Sequence, residues 1–442
     1  MYVTDQPSFW NGADQLTTDL EPHALLERLK WIEQDMGRNV TAATESDNRN
    51  GPRPLDLDIL LCYKAGDNSH ASQSAVILNT DNLTVPHPRI HEREFVLRPL
   101  VDMVGGSLVL DSINSTNKSA TIGELLNDVV AAYTSQDAAA ERIIPLPCGR
   151  HLVFGSSTLI RGILNVTPDS FSDGGQWTSA VSDAVDRAME MIAEGASIVD
   201  IGGESTRPGA REISVEEQIQ RTVPVIEGIR SRIKGAHEDV AISIDTRHAA
   251  VARAAVKAGA DIVNDVSGGT FDDEMLATVP MVLMHMRGTP ETMQGLTNYS
   301  DDGGVVDSVA NALLQRSRAA EEAGIPRWMQ ILDPGIGFAK GLDSNLSLLR
   351  HYSDIRTRLG DIPLLLGTSR KGFIGKINGE TVATNRDFGT VGSCVAALCL
   401  GSKQHSSTSS GRPSLGCNIL RVHNVKGTKQ AIEIMDAIVN AP

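Results

Sequence analysis

Gly162-Ile163-Leu164-Asn165-Val166-Thr167-Pro168-Asp169-Ser170-Phe171-Ser172-Asp173-Gly174-Gly175 is the stretch that decides the fold of this chain. The apolar run from Leu159 to Leu164 predicts a buried strand, with Asn165 as its last position. Polar and turn-forming residues follow from Asp169 to Gly175, so a loop begins where the strand ends. Parallel α/β folds build active sites from such loops, at the carboxyl ends of buried strands.

Apolar runs of strand length alternate with helical patterns through the rest of residues 151–442. The predicted strands are 159–165, 197–201, 241–244, 262–264, 281–284, 329–332, 364–366 and 417–420. The predicted helices are 181–194, 216–233, 249–258, 305–323, 343–356, 391–400 and 429–439. This series predicts an α/β fold, a (β/α)8 TIM barrel, because near-continuous apolar strands are typical of a parallel sheet covered on both faces. An open Rossmann sheet is the alternative, but no GxGxxG motif is present.

Length, charge and cysteine usage limit the class of protein. A chain of 442 residues is long enough for two or three domains. The net charge of −15 argues against nucleic acid or an anionic membrane as the main partner. The five cysteines include no CxxC pair, which favours reduced intracellular thiols.

The amino terminus and the hydropathy pattern bear on location. No apolar run approaches the roughly 20 residues of a membrane span. The first ten residues, MYVTDQPSFW, are neither a secretory signal nor an Arg-rich transit peptide, and they start in the middle of a pattern. We therefore expect a cytoplasmic protein, with mitochondria as the alternative.

Two carboxylates stand out in the first 150 residues. A helix is predicted within residues 17–36 and a strand over 55–62, on which Asp56 and Asp58 lie two positions apart and therefore on one face. Paired acids of this kind suit Mg²⁺ ions that carry nucleotide phosphates. An edge strand with a solvated acidic face is the alternative.

The sequence around these acids resembles hydroxymethyl-dihydropterin pyrophosphokinase. The resemblance rests on Gly-Pro-Arg-Pro-Leu-Asp-Leu-Asp-Ile-Leu at 51–60 and Leu-Thr-Val-Pro-His-Pro-Arg at 83–89. It implies that Asp56 and Asp58 hold Mg²⁺. It also implies that the ATP phosphates are bound by Arg53, His87 and Arg93, and that the pterin is bound by Phe9 and Asn11. It covers residues 1–126 and implies an α+β, ferredoxin-like domain. The family's first strand and helix are absent from this sequence, so we expect the domain to be partial and incomplete as a kinase.

The stretch after this domain is predicted to connect it to the barrel. Residues 127–150 are assigned as a linker, stiffened by Pro145 and Pro147. The barrel domain then covers 151–442. Within it, residues 402–415 form a Ser-rich insert before the last strand, which we expect to be disordered and dispensable.

Polar side chains crowd the ends of the predicted barrel strands. Taken singly, an Asp at a strand end is usually the cap of the next helix, and His285 between two methionines is usually a core histidine. Because all strands of a barrel end at one rim, these side chains converge. Asp245, Asn264, Asp333 and Lys371 suit a flat heterocycle with adjacent N–H donors. A second group suits a pyrophosphate with Mg²⁺: Asn165, Arg207, Arg421 and His423.

At this point the barrel resembles dihydropteroate synthase. The motifs appear in family order: GILNVTPDSFSDGG, GGESTRPGA, SIDTR, NDVSG, LMHMRGTP, DPGIGFAK, GTSRKGFIG and RVHNV. The resemblance covers about residues 155–440 and implies condensation of 6-hydroxymethyl-7,8-dihydropterin pyrophosphate with 4-aminobenzoate, releasing pyrophosphate.

The same resemblance implies roles for individual residues. The pterin is held by Asp245, Asn264, Asp333 and Lys371, with Met284 and Phe338 against its face. Pyrophosphate and Mg²⁺ are bound by Asn165, Arg421 and His423. The aminobenzoate pocket is formed by Thr206, Arg207, Pro208 and Ser369, under loops 167–175 and 205–209. We name Lys371, Arg421, His423 and Arg207 as catalytic, and we expect a homodimer through the barrel.

Two rival functions stay open at this stage. Pterin-binding barrels also occur in methyltetrahydrofolate-dependent methyl transfer to a corrinoid, although the Ser-Arg-Lys and Arg-x-His stretches favour release of pyrophosphate. A non-catalytic role in docking or dimerisation is the other possibility, chiefly for residues 1–126.

Overall fold

The computed structural model describes residues 9–38, 54–64, 75–110, 119–132, 141–155, 157–166, 177–204, 212–233, 238–275, 279–360, 362–402 and 417–439. The chain divides into two compact units, Met1–Ala140 and Glu141–Pro442. No helix in these ranges is long and apolar enough to cross a membrane.

The second unit is a closed parallel barrel. Among the described residues its eight strands are β7 (Leu159–Asn165), β8 (Ile198–Gly202), β9 (Ala241–Asp245), β10 (Ile262–Asp265), β11 (Met281–Met284), β12 (Gln330–Asp333), β13 (Leu365–Leu366) and β14 (Ile419–Val422), numbered after the six described strands that precede them. Their order around the sheet is β12-β11-β10-β9-β8-β7-β14-β13. A parallel bridge between Leu332 and Leu364 joins the two ends of this order. The prediction of a TIM barrel is confirmed.

Helices alternate with these strands and cover the outside of the barrel. They are α4 (Trp177–Ala193), α5 (Val215–Arg232), α6 (Ala249–Ala258), α7 (Val305–Glu322), α8 (Leu342–Arg350), α9 (Tyr352–Leu359), α10 (Gly372–Asn378), α11 (Asp387–Ser402) and α12 (Val425–Val439). The predicted helix 343–356 is two helices, α8 and α9, and α10 was not predicted. Strand residues such as Ile160 and Val199 pack against helix residues such as Val185 and Ile226 in one apolar cluster. Each such fully buried side chain stabilises the fold by about 1.5–3 kcal/mol.

The interior of the barrel is apolar at its amino-terminal end. Each strand contributes one side chain to a single cluster there: Leu159, Ile198, Ala241, Ile262, Val282, Ile331, Leu365 and Ile419. An antiparallel hairpin of β5 (Arg142–Pro145) and β6 (His151–Phe154) belongs to the same cluster through Ile144, Leu146, Leu152 and Phe154. The hairpin covers this end of the barrel interior.

This hairpin corrects the sequence analysis locally. The predicted linker, 127–150, includes β5, which is part of the second unit. Ile144 and Leu146 are buried while Ile143 and Pro145 are only half-buried, and this alternation of burial belongs to a strand that pairs with β6. Two prolines nearby had suggested a stiff connection instead.

The first unit is α+β, as predicted. Its described helices are α1 (Pro22–Asp35), α2 (Glu94–Val104) and α3 (Ile122–Ala131), the last with a capping box between Thr121 and Glu124. Its described strands form two antiparallel pairs: β1 (Leu78–Asn79) with β2 (Thr84–Val85), and β3 (Val109–Leu110) with β4 (Ala120–Thr121).

The predicted strand 55–62 is not formed. Its side chains do alternate, with Asp56 and Asp58 exposed while Ile59 is buried. Within the described residues, however, its backbone makes only scattered bonds, such as His87 N donating to Leu60 O and Leu57 N donating to Glu33 Oε1. A strand requires a partner ladder, which alternation alone does not supply.

Candidate active site

Polar side chains replace apolar ones toward the carboxyl end of the barrel interior. Asp245 and Asp333 end β9 and β12, Asn264 lies on β10 and Arg421 on β14. A β-carbon added at Gly367, just after β13, would lie 3.8 Å from Lys371 Nζ and 3.9 Å from both Asp333 Oδ2 and Arg421 Cβ. Asp333, Lys371 and Arg421 therefore come together around Gly367, at the carboxyl end of the barrel.

Arg421 is held between two carboxylates. Its Nε donates to Asp200 Oδ2 and its Nη2 to Asp245 Oδ2, both at 2.6 Å. Burial would lower the pKa of Arg421, but these two carboxylates outweigh burial and raise it above its ordinary value. The guanidinium therefore stays fully charged and fixed in orientation, as an anion-binding group requires.

Each carboxylate is itself oriented by another donor. Asn264 Nδ2 donates to Asp245 Oδ1 at 3.0 Å. Ser243 Oγ donates to Asp200 Oδ1 at 2.5 Å, and Arg161 also donates to that oxygen. Burial raises the pKa of Asp245, and the neighbouring Arg421 opposes that rise. For Asp200, burial acts in the same direction, but Arg161 and Arg421 prevail and lower its pKa.

Lys371 and Asp333 form the other side of the cavity. Loss of solvent lowers the pKa of Lys371 to about 8, although the Asp333 carboxylate opposes this. Burial raises the pKa of Asp333, against the pull of Lys371 and the 2.7 Å bond from Gly335 N. Lys371 Nζ also donates to Ile336 O and lies 4.7 Å from the centre of the Phe338 ring. A lysine with this pKa is mostly protonated at neutral pH yet can lose its proton within reach of physiological conditions.

An apolar wall borders these polar groups. It is one buried cluster formed by Val266, Met284, Met286, Met293 and Ala339, with Phe338 packed against it. A flat heterocycle can pack on such a wall while its edge meets the carboxylates.

His285 is not one of the polar groups that border this wall. Its side chain is buried, and its Nδ1 lies 2.9 Å from Lys340 Nζ. Burial and the nearby cations lower the pKa of His285 to about 2, so it is a neutral core histidine.

Three further predicted residues lie at the carboxyl rim. Ser369 Oγ and His423 Nδ1 are 2.9 Å apart, and His423 N donates to the same hydroxyl. Asn165 ends β7, and its Oδ1 would lie 3.7 Å from a β-carbon placed at Gly202. Asn165 and Asp245 thus flank the same glycine, since that β-carbon would also lie 3.6 Å from Asp245 Cβ.

Several predicted residues lie outside the described part of the chain. These are Thr206, Arg207 and Pro208, the loops 167–175 and 205–209, and Arg53 in the first unit. The Ser-rich insert, 402–415, also falls there except for Ser402, which is the last residue of α11. The roles assigned to all of them remain predictions.

Asp200 and Arg161 are not among the site residues predicted from the sequence. Both lie inside apolar strand runs rather than at strand ends, and both side chains are fully buried. A signal was present, because single charges of opposite sign interrupt the runs Leu-Ile-Arg-Gly-Ile and Ile-Val-Asp-Ile. Buried charges of this kind need partners.

The candidate residues of the first unit lie near one another but are more exposed. Arg38 Nη1 donates to Asp56 Oδ1 at 2.7 Å, and the Asp56 side chain is 41% exposed. The pKa of His87 is lowered, chiefly by burial. The Asp58 carboxylate opposes this shift, and the Arg93 guanidinium adds to it. His87 therefore lies within electrostatic reach of Asp58 and Arg93.

Neither unit holds a preformed metal cluster in the ranges that the structure describes, counting groups of three or more His, Cys, Asp or Glu side chains. The oxygen donors of Asp56, Asp58 and Asn165 nevertheless fit Mg²⁺. This ion is usually bound by one or two protein oxygens, with water and substrate phosphates completing its coordination.

Two family models match the chain. Residues 161–404 match the model for pterin binding enzymes. Residues 1–105 match the model for 7,8-dihydro-6-hydroxymethylpterin-pyrophosphokinase. The second match begins at residue 1, so the expectation of a partial kinase domain has only limited support.

Similar proteins cover the whole chain or the barrel alone. The mitochondrial folate synthesis bifunctional protein of Pisum sativum is 41% identical over 457 aligned residues, covering 99% of this chain and 81% of the relative. A Xanthomonas albilineans dihydropteroate synthase structure with 4-aminobenzoic acid is 37% identical, with a TM-score of 0.56, covering 68% of this chain and 100% of that one. A structure of that enzyme with 7,8-dihydropteroate is 35% identical, with a TM-score of 0.55 and the same coverage.

Proposed function

This chain belongs to the pterin binding enzyme family, with a dihydropteroate synthase barrel joined to a pyrophosphokinase-type first unit, and from this premise we propose how its residues act. The barrel is a transferase domain of folate biosynthesis. We assign it the condensation of 6-hydroxymethyl-7,8-dihydropterin pyrophosphate with 4-aminobenzoate to dihydropteroate and pyrophosphate.

One observation carries this assignment: Arg421, fixed by Asp200 and Asp245, lies beside Gly367 together with Asp333 and Lys371. Buried carboxylates match the adjacent N–H donors of an aminopyrimidinone ring. A fixed guanidinium matches a phosphate group. The cavity thus has one end for a pterin and one for its leaving group.

Asp245, Asn264, Asp333 and Lys371 bind the pterin edge in this proposal, and Met284 and Phe338 contact its face. The bonds from Asn264 and Arg421 fix the orientation of the Asp245 carboxylate, and each oxygen keeps a lone pair for the pterin. Lys371, protonated below its pKa of about 8, donates to the ring carbonyl or nitrogen. These contacts orient the methylene carbon of the pterin toward the rim.

The chemistry depends on the leaving group more than on the nucleophile. The nitrogen of 4-aminobenzoate is a weak nucleophile, so stabilising the departing pyrophosphate should lower the barrier most. Arg421 and His423 receive that charge. Asn165 would hold Mg²⁺ through its amide oxygen, and the bound ion would neutralise phosphate charge. Ser369 binds 4-aminobenzoate together with Thr206 and Arg207.

The experiment is product analysis. Purified protein is mixed with 6-hydroxymethyl-7,8-dihydropterin pyrophosphate, 4-aminobenzoate and Mg²⁺, and the dihydropteroate and pyrophosphate formed are quantified. We expect the two products in equal amounts. The control replaces pterin pyrophosphate with methyltetrahydrofolate and a corrinoid. Methyl transfer in the control, with no dihydropteroate in the main reaction, would overturn the assignment.

For the first unit we propose a pyrophosphokinase site that is inactive in this chain. Asp56 and Asp58 would hold Mg²⁺, and Arg53, His87 and Arg93 would contact ATP. Two observations support inactivity: residues 55–62 have no strand ladder among the described residues, and Asp56 is engaged by Arg38. An assay of ATP-dependent transfer to 6-hydroxymethyl-7,8-dihydropterin tests this, and robust turnover would show that the chain is fully bifunctional.

Oligomeric state and compartment are also proposals. We propose a homodimer through the barrel, which sedimentation would test by giving twice the monomer mass. For the compartment, the name of the pea relative supports mitochondria, the alternative prediction, rather than the cytoplasm. Fractionation of cells that make this protein distinguishes the two. The partners are small-molecule substrates, without nucleic acid or membrane.

A further inference from the structure

A second arginine lies inside the barrel beside the proposed pyrophosphate-binding one. Arg161 on β7 and Arg421 on β14 are paired in the parallel register of these neighbouring strands. Both guanidinium groups bond to Asp200 on β8, Arg161 through Oδ1 and Arg421 through Oδ2. Two cations therefore share one carboxylate at the same level of the barrel.

The two arginines differ in access to the cavity. The Arg161 side chain is 1% exposed and that of Arg421 is 19% exposed. Arg161 Nε is also buried without a hydrogen-bond partner in the described part of the molecule. Arg161 thus cannot reach a substrate, and its hydrogen bonding is less complete than a purely structural role would favour.

The charges of this cluster balance only with Arg161 included. Arg161 and Arg421 carry two positive charges against the two carboxylates of Asp200 and Asp245. Without Arg161, two carboxylates would surround Arg421 alone and leave a net negative charge. A negative charge there opposes binding of pyrophosphate, and it would be weakly screened inside the barrel.

Arg161 also orients the carboxylate of Asp200. Together with Ser243 it bonds to Oδ1, which directs Oδ2 to Arg421 Nε. We propose, resting on the function assigned above, that Arg161 is a positioning residue that acts through Asp200 to keep Arg421 oriented and available for the departing pyrophosphate.

The test compares two substitutions that each keep a donor for Asp200. Arg161→Gln removes the charge, and Arg161→Lys keeps it. Calorimetry measures binding of inorganic pyrophosphate with Mg²⁺, and separately of 6-hydroxymethylpterin, while thermal unfolding checks the fold. We expect R161Q to bind pyrophosphate about tenfold more weakly than the unmodified protein, a loss typical of removing a residue that orients a ligand-binding side chain. Its affinity for the pterin should stay within twofold of the unmodified protein. R161K should stay within threefold for both.

The same variants give a kinetic readout. R161Q should lower kcat about tenfold and leave the KM for 4-aminobenzoate unchanged, because the lost interaction acts on the leaving group. Unchanged pyrophosphate binding in R161Q, or equal weakening of both ligands, would overturn the proposal. If the unmodified protein makes no dihydropteroate, the assigned function fails, but the pyrophosphate titration still decides the role of Arg161.

A double variant covers the case in which R161Q does not fold. R161Q/D200N removes both charges of the ion pair and leaves Arg421 balanced by Asp245. Replacing a buried ion pair as a whole costs less stability than removing one member. Because the asparagine that replaces Asp200 can still accept a hydrogen bond from Arg421 and the net charge of the cluster is kept, the pyrophosphate affinity of the double variant should fall by less than the tenfold expected for R161Q. A loss of tenfold or more would contradict the charge-balance argument.

Discussion

The two units use carboxylates in opposite surroundings. In the barrel, Asp200 and Asp245 are almost fully buried, and each has both oxygens bonded to fixed donors. In the first unit, Asp56 and Asp58 are exposed, and Asp56 bonds to Arg38 at the surface. Buried ionic groups are costly to disturb, whereas exposed pairs contribute little. The contrast indicates that the barrel site is preorganised and that the acids of the first unit are not.

The largest effect should come from Arg421. Arg421→Ala removes the cation that both buried carboxylates hold, and we expect kcat to fall by about 10²–10³, as for loss of one anion-stabilising donor. Pterin affinity should change much less, because the pterin edge meets other side chains. Steady-state kinetics and a pterin titration on the same sample measure the two quantities. Equal losses in kcat and pterin affinity would contradict the assignment.

A matched pair of substitutions tests the contrast between the units directly. Asp333→Asn in the barrel keeps the shape but presents a donor to the N–H groups of the pterin. Charge-assisted hydrogen bonds are worth about 1.5–3 kcal/mol, so pterin affinity should fall about 10–100-fold. Asp56→Asn in the first unit is the control, and it should change synthase activity by less than about twofold. If Asp56→Asn impaired the synthase reaction as much as Asp333→Asn does, the two units would not differ in how they use their carboxylates.

The smallest predicted effect is a pH dependence from Lys371. Its pKa in the folded protein is about 8, below the ordinary value of 10.5. Above pH 8 the ammonium loses its proton, so kcat/KM for the pterin substrate should decline on the alkaline side. Lys371→Arg should move that decline to higher pH, since arginine stays protonated. An unchanged alkaline limb in this variant would exclude Lys371 as its source.

Stability should respond to the same group with the opposite sign. Between pH 8 and 10.5 the unfolded chain binds more protons at Lys371 than the folded chain does. The free energy of unfolding contributed by this group therefore rises with pH across that window. Denaturant titrations of the unmodified protein and Lys371→Arg at pH 7.5 and 9.5 would isolate this contribution.

Much of the barrel could be predicted from the sequence. Every strand run was found within one or two residues, because a parallel strand covered on both faces is apolar throughout. The rule that polar side chains at strand ends converge predicts neighbours, and the structure has Asn264 bonded to Asp245, and Asp333 and Lys371 both beside Gly367. In the first unit the alternation around Asp56 and Asp58 was right but the strand was not, since pairing depends on a partner segment.

The sequence by itself determined the alternation of strands and helices, and with it the set of side chains available at the barrel rim. Only the closed barrel decided which of them meet. Arg421 bonds to Asp200 across 221 residues and to Asp245 across 176, and no local pattern specifies such pairs. The physical reason is that side-chain periodicity is a property of one strand, whereas register and closure are set by the packing of all eight.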